Sequence, residues 1–211
     1  DAILATEAYL QLLSSQTPDS YLLSGLSVAL FGQSRLEEAR ERAHQAIEMD
    51  SDNPQAWHCL ALVLERTGHG EQAREAFARA NQSDPDLYPL PSELHSADLD
   101  AALEQAHSRL DPPSQAFYAK VPIGWAEFPN PDELCATTPP LSPFVEALYE
   151  GTPEPSRDPW QHLPSRVQLF VGNLAWGETR GATLAQRIET ALTREAHHWL
   201  GIRPFVNEAS D

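Results

Sequence analysis

Cysteine is scarce in this chain. Only Cys59 and Cys135 occur among 211 residues, Cys59 within an expected helix and Cys135 in an expected loop, and neither has a CxxC neighbour. Two isolated thiols point to a reducing compartment and set a cytoplasmic location as the expectation. No run approaches the roughly 20 apolar residues that a membrane span needs, so no membrane partner is expected. Basic residues are few: 14 Lys and Arg stand against 31 Asp and Glu, a formal charge of −17, and Lys120 is the only lysine. The acidic excess is spread along the chain. It repels phosphate backbones, which argues against nucleic acid as a partner; a basic partner, or plain solubility, fits better. GxSxG, P-loop and GxGxxG patterns are missing, so acyl-transfer, nucleotide and dinucleotide chemistry have no positive support. No cleavable signal peptide is visible. Residue 1 already reads as mid-helix, so an N-terminal truncation is expected.

What is present first is a repeat. In residues 54–85 one helical face collects Trp57, Leu60, Ala61 and Leu64, and Gly68 ends that helix. A second face collects Ala73, Ala76, Phe77 and Ala80, and Pro85 closes the unit. Small residues let two helices approach closely, and the large ones fill the gaps between them. A looser copy precedes it, with Tyr21, Gly25 and Val28, then Gly32, then Ala39, Ala43 and Ala46. Residues 2–15, with Ala5, Tyr9 and Leu12, read as the second helix of a still earlier unit. This pattern resembles the tetratricopeptide repeat, at about two and a half copies over residues 1–90. The resemblance implies a helix-pair solenoid that binds a protein or peptide in the groove lined by the first helices. The groove positions are Asp19, Leu22, Leu26 and Ala29 in one copy and Gln55, His58, Leu62 and Glu65 in the next, and they are expected to be exposed. Carboxylate-clamping lysines and asparagines are lacking there. A ligand with leucine-like anchors and some Arg or Lys therefore fits better than an acidic tail. The other outcome is a groove filled by the chain's own C-terminal half or by missing repeats.

Composition shifts after residue 84, where prolines interrupt the helical pattern. Residues 97–110 read as a helix with Leu99, Leu103, Ala106 and Leu110 inward. Residues 114–120 read as a short helix, 121–128 as a strand, 144–150 as strand or short helix, and 165–171 as a strand followed by a Gly172-Asn173 turn. The last helix spans about 183–200, with a Thr183/Gln186 capping box at its start and Gly201 and Pro204 at its end. The expected architecture is α-helical repeats over 1–90 followed by an α+β domain over 91–211.

At about 100° per residue, Leu184, Ile188, Ala191, Glu195 and His198 share one inward stripe of the last helix, with Arg194 at its flank and His197 opposite. Two readings compete. Glu195 and His198 satisfy each other or core partners, or they form a site, because inward titratable groups one turn apart are how metal sites are built. The window from Arg194 to Gly201 reads REAHHWLG, which is HExxHxxG with its first histidine replaced by arginine.

Residues 97–204 resemble the small zincin-like metallopeptidases of bacteria. The resemblance rests on an acidic leading helix and a proline-rich stretch, then Leu148-Tyr149-Glu150-Gly151-Thr152-Pro153, then Leu163-Pro164-Ser165-Arg166-Val167, with the zinc helix last. It implies a zincin-like α+β fold in which Glu195 matches the general base and His198 a zinc ligand. Two positions depart from it. Arg194 stands where the first zinc-binding histidine belongs, and an arginine stays protonated and offers no lone pair. Pro204 stands where a third ligand belongs. Glu195 and His198 are then vestigial, the motif is degenerate, and no cofactor is expected. Arg194 is expected to replace the metal charge by pairing with Glu195 or another buried acid. The alternative is a zinc peptidase with ligands from elsewhere, such as His162, Glu208 or Asp211, whose repeats recruit substrate. A third possibility is a structural or inhibitory subunit paired with an active paralogue.

Overall fold

Among the described residues, five helices fill the repeat region: α1 (Ala2–Ser15), α2 (Ser20–Phe31), α3 (Leu36–Met49), α4 (Pro54–Arg66) and α5 (Gly70–Ser83). The structure is a computed structural model and describes residues 2–15, 17–91, 94–153, 158–176 and 182–202. The chain forms two units. One comprises Asp1–Pro91 with Pro129–Phe144, and the other Ser92–Phe128 with Val145–Asp211.

In the first unit the caps are local. The Asp19 side chain accepts from the Leu22 amide at the start of α2, and Asn53 accepts from the Ala56 amide at the start of α4, where Pro54 takes the first turn. Orphan amide groups are thereby satisfied. Ala39, Ala43 and Ala46 of α3, Ala61 of α4, and Ala73, Ala76 and Ala80 of α5 are buried with Phe77, so small residues do bring the helices together. At Gly25 a β-carbon would lie 2.5 Å from the Tyr9 ring. The missing side chain makes the space that Tyr9 fills. Buried hydroxyls stitch the layers: Ser20 donates to the Ala46 carbonyl at 2.9 Å, Ser27 to the Ala39 carbonyl at 2.6 Å, and the Asn53 amide to Ser20 Oγ at 2.7 Å. Each buried polar group named here has a partner, which avoids the desolvation cost of an unmade bond. Tyr21 and Val28 are exposed despite occupying repeat positions, as is Leu12. Trp57 is half-buried under the Arg79 guanidinium, 4.7 Å from the ring centroid.

The second unit holds α6 (Ser96–Arg109), α7 (Pro112–Tyr118), β1 (Ile123–Ala126), β2 (Ala147–Tyr149), β3 (Val167–Phe170), α9 (Val171–Ala175) and α10 (Leu184–Leu200); α8 (Pro131–Cys135) belongs to the first. The three strands form one mixed sheet in the order β1-β3-β2. β1 runs parallel to β3 with Ile123 opposite Val167, and β2 runs antiparallel with Tyr149 opposite Val167. Helix α10 packs on α6, α7 and the sheet and completes a core that includes Phe117, Val121, Val167, Leu169, Ile188, Leu192 and Trp199. Burying each such side chain contributes about 1.5–3 kcal/mol. The Thr183/Gln186 capping box is made in both directions. Two local expectations fail. Gly172 and Asn173 open α9 rather than a turn, because the Gly172 amide donates to Glu127 O at 2.9 Å while Asn173 Nδ2 donates to Val145 O at 2.5 Å. Cys135 ends a short helix rather than lying in a loop.

Candidate functional site

The second unit's candidate site is built from β2, β3 and the C-terminal half of α10. The Leu148–Pro153 and Leu163–Val167 segments meet there as paired strand ends: the Glu150 amide donates to Arg166 O at 2.9 Å, and the Arg166 guanidinium pairs with the Glu150 carboxylate at 3.2 Å. Both side chains are about half exposed, so this pair positions more than it stabilises. Gly151, at φ +135°, lets the chain leave β2 against the Trp199 ring. Side chains are strained at that φ, which accounts for glycine in the segment. Tyr149 stacks edge-on against Trp199 with centroids 4.9 Å apart, and its hydroxyl lies 3.3 Å from His198 Nδ1. The Trp199 indole donates to the His162 carbonyl at 3.1 Å.

Arg194 and Glu195 are joined. Arg194 Nε donates to Glu195 Oε1 at 3.0 Å, and Nη2 donates to the Ala147 carbonyl of β2 at 3.4 Å. The carboxylate side chain is 6% exposed and the guanidinium side chain 51%. Burial pushes the Glu195 carboxyl above the usual carboxylate range, opposed by Arg194, by His198 and by a bond from the Tyr149 backbone. Tyr149 is raised too, by burial and by the nearby Glu195 charge. His197 Nε2 lies 2.5 Å from Asp111 Oδ2, tying α10 to the start of α7. A cleft of about 700 Å³ runs along this end of α10, lined by Thr190, Thr193, Arg194, His197, His198 and Gly201.

His198 was expected on the inward stripe; it is exposed. The buried face of α10 runs through Ala185, Ile188, Ala191, Leu192, Glu195, Ala196 and Trp199. Its centre lies closer to Leu192 than the wheel drawn through Leu184 and Ala191 assumed, and that rotation carries His198 to the rim. The structure thus gathers Arg194, Glu195 and His198 at one end of one helix, with Tyr149, which sequence reasoning missed. The strand-end position of Tyr149 in the Leu-Tyr-Glu-Gly segment was its available signal. Pro204, Glu208 and Asp211 lie outside the described residues. Of His162, the backbone carbonyl reaches the site through Trp199.

These elements are what two family models match. Residues 118–206 match the zincin-like metallopeptidase family, and residues 30–97 match the tetratricopeptide repeat. The chain carries tetratricopeptide repeats and a zincin-like metallopeptidase-family segment. A TPR repeat-containing protein of Dictyostelium discoideum is 37% identical over 68 residues, which cover 32% of this chain and 26% of that protein. The chain thus spans about a quarter of the length of that curated relative. No solved structure matches. The repeats make the first unit a protein-interaction module, and the second segment is metallopeptidase-related.

The zincin-like match implies zinc, and the donors at this site do not fit it. The first ligand position carries a guanidinium already bonded to the adjacent carboxylate, and His198 faces Tyr149. Among the described residues no three His, Cys, Asp or Glu side chains converge to hold a metal. Zinc sites need three or four such donors.

The groove of the repeat unit is less open than expected. Leu22, Leu26, Ala29 and Leu62 are buried, at 7%, 1%, 6% and 6% exposure. Gln55, His58 and Glu65 are half-buried. The Gln55 carbonyl accepts from Ser24 Oγ at 3.0 Å, and Glu65 pairs with Arg66. His58 sits between the rings of Phe77 and Tyr88, at 5.6 and 5.2 Å, and burial lowers its imidazole to about 4. Helices α2 and α4, which carry these positions, pack on each other, and the segment Pro129–Phe144 folds with the repeats. A helical wheel drawn for an open-ended array does not include it.

Proposed function

We propose that this protein binds another protein through its repeat domain, residues 1–90, and that its zincin-like domain, residues 91–211, does not hydrolyse peptides. The observation that carries this reading is the contact of Arg194 Nε with the buried Glu195 carboxylate at 3.0 Å. In a zinc peptidase that carboxylate accepts a proton from metal-bound water. Here a permanent cation neutralises it from the position where the first histidine of the signature would stand. The arrangement resolves the cost of an inward carboxylate without a metal, and the second hydrogen bond, to Ala147, fastens α10 to the sheet. Glu195 and His198 are then remnants, and no cofactor is required. The second domain retains the cleft beside α10 as a surface for binding rather than for cleavage. The acidic chain and its half-buried Glu65 favour a partner segment with apolar anchors and basic residues, reaching Gln55, His58 and Glu65. The two free thiols are compatible with a cytoplasmic setting.

The double substitution Arg194→His with Pro204→Asp tests the reading. Zinc titrated by calorimetry should bind the double variant and leave the wild-type chain without measurable binding. Zinc binding by the wild-type chain, accompanied by cleavage of an unstructured peptide, sinks it.

A further inference from the structure

The proline-rich stretch between the two halves of the second unit is more than a connection. The chain enters the repeat unit at Pro129 and leaves it after Phe144. Within those residues Asn130 caps α8, Leu134 is 1% exposed, and the Leu141 amide donates to Leu134 O at 2.9 Å, so the segment has a defined shape of its own. Its attachments to the repeats are specific. Ser34, in the turn after α2, donates from Oγ to the Leu141 carbonyl at 2.8 Å, and Ser34 is 4% exposed. The Phe144 ring meets Phe31 edge-on at 5.3 Å. The Arg66 guanidinium lies 5.9 Å from the Phe31 centroid and 5.7 Å from that of Phe144. Arg66 follows Glu65 at the end of α4, and Phe31 ends α2, so both stand where the groove-lining helices finish. The Arg66 side chain is 1% exposed, a desolvated setting in which a cation–π contact strengthens.

We propose that Pro129–Phe144 is a built-in ligand of the repeats, which closes one end of their groove, and that an incoming partner must displace it. The inference rests on the reading of the groove as a partner site and narrows it. The displacing segment must offer an aromatic side chain to the Phe31–Arg66 slot and a backbone carbonyl to Ser34, as Ser142-Pro143-Phe144 and Leu141 do. Tethering supplies the in-chain segment at an effective concentration on the millimolar scale, so its intrinsic affinity need only be comparable.

The test uses the full chain and a labelled synthetic peptide of residues 129–144, titrated to millimolar concentration and followed by NMR shifts of the repeats. Phe144→Ala loosens the resident copy and leaves the groove intact. The peptide should bind this variant about tenfold more tightly than it binds wild type. Ser34→Gly, which removes the hydroxymethyl side chain and suits the left-handed backbone there (φ 59°), serves if Phe144→Ala does not fold. In that chain, hydrogen exchange at the Leu141 amide should quicken while α5 stays protected. Equal binding to wild type and variant, no binding to either at millimolar peptide, or unchanged exchange at Leu141 overturns the proposal. These outcomes stand apart from failure of the partner reading. A repeat unit that binds no outside protein can still show the exchange response. A loss of that response leaves the repeats free to bind a partner on an unblocked groove.

Discussion

The two regions use their family patterns differently. In the repeats, the alanines at the signature positions and Phe77 are packing positions. In the zincin-like segment, the strand-end and helix signatures also pack, through Tyr149, Gly151 and Trp199, but the signature's chemical positions hold Arg194, bonded to Glu195, and a His198 that faces Tyr149. On the reading proposed above, residues kept for shape stand where those of a reaction do not, because shape is read by every neighbour and a ligand only by its metal.

The repeats offer the most decisive substitution. Phe77→Ala should cost about 3–5 kcal/mol in denaturant unfolding, since the ring is 3% exposed among small residues that cannot close the cavity. A cost below about 1 kcal/mol would mean that the repeat positions do not carry the packing.

The two regions should also answer pH with opposite slopes. Burial lowers His58 from its ordinary 6.5 to about 4. Between those values the unfolded chain binds a proton that the folded chain does not, so this group's contribution to stability rises with pH across that window. At the limit it amounts to about 3 kcal/mol between pH 4 and pH 7. His58→Leu should flatten that rise; an unchanged slope in urea titrations at several pH values would place His58 in water.

Glu195 acts in the other direction and more weakly. Its folded value is raised above the ordinary 4.5, so its contribution is greatest when protonated and falls as pH rises above that value. Arg194 limits the fall. Arg194→Met should therefore destabilise the chain by about 1–2 kcal/mol at pH 7, discounted for the half-exposed guanidinium, and by less near pH 4. A penalty independent of pH would separate Arg194 from Glu195.

Much of the fold was legible in the sequence because its signals are local. Alanine spacing, Gly68, the Thr183/Gln186 box and the strand pattern around Val167 and Leu169 concern neighbours within a few residues. The pairing of Arg194 with Glu195 lies between adjacent residues. What sequence reading could not see is long-range. Ser34 and Leu141 are separated by 107 positions, and no periodicity in a proline-rich stretch announces that it seats against two helix ends. That contact, with the burial of Leu22, Leu26 and Leu62, is what an open-groove picture omitted. His198 was misplaced for a smaller reason: a rotation of one helix face sets which of two neighbouring residues points inward, and only the packed partners fix it.

The most direct test is the metal content of the wild-type chain, purified from zinc-replete medium without chelators and weighed by native mass spectrometry. A guanidinium in the place of a ligand predicts the bare polypeptide mass. A stoichiometric zinc adduct that disappears in His198→Ala would contradict the account.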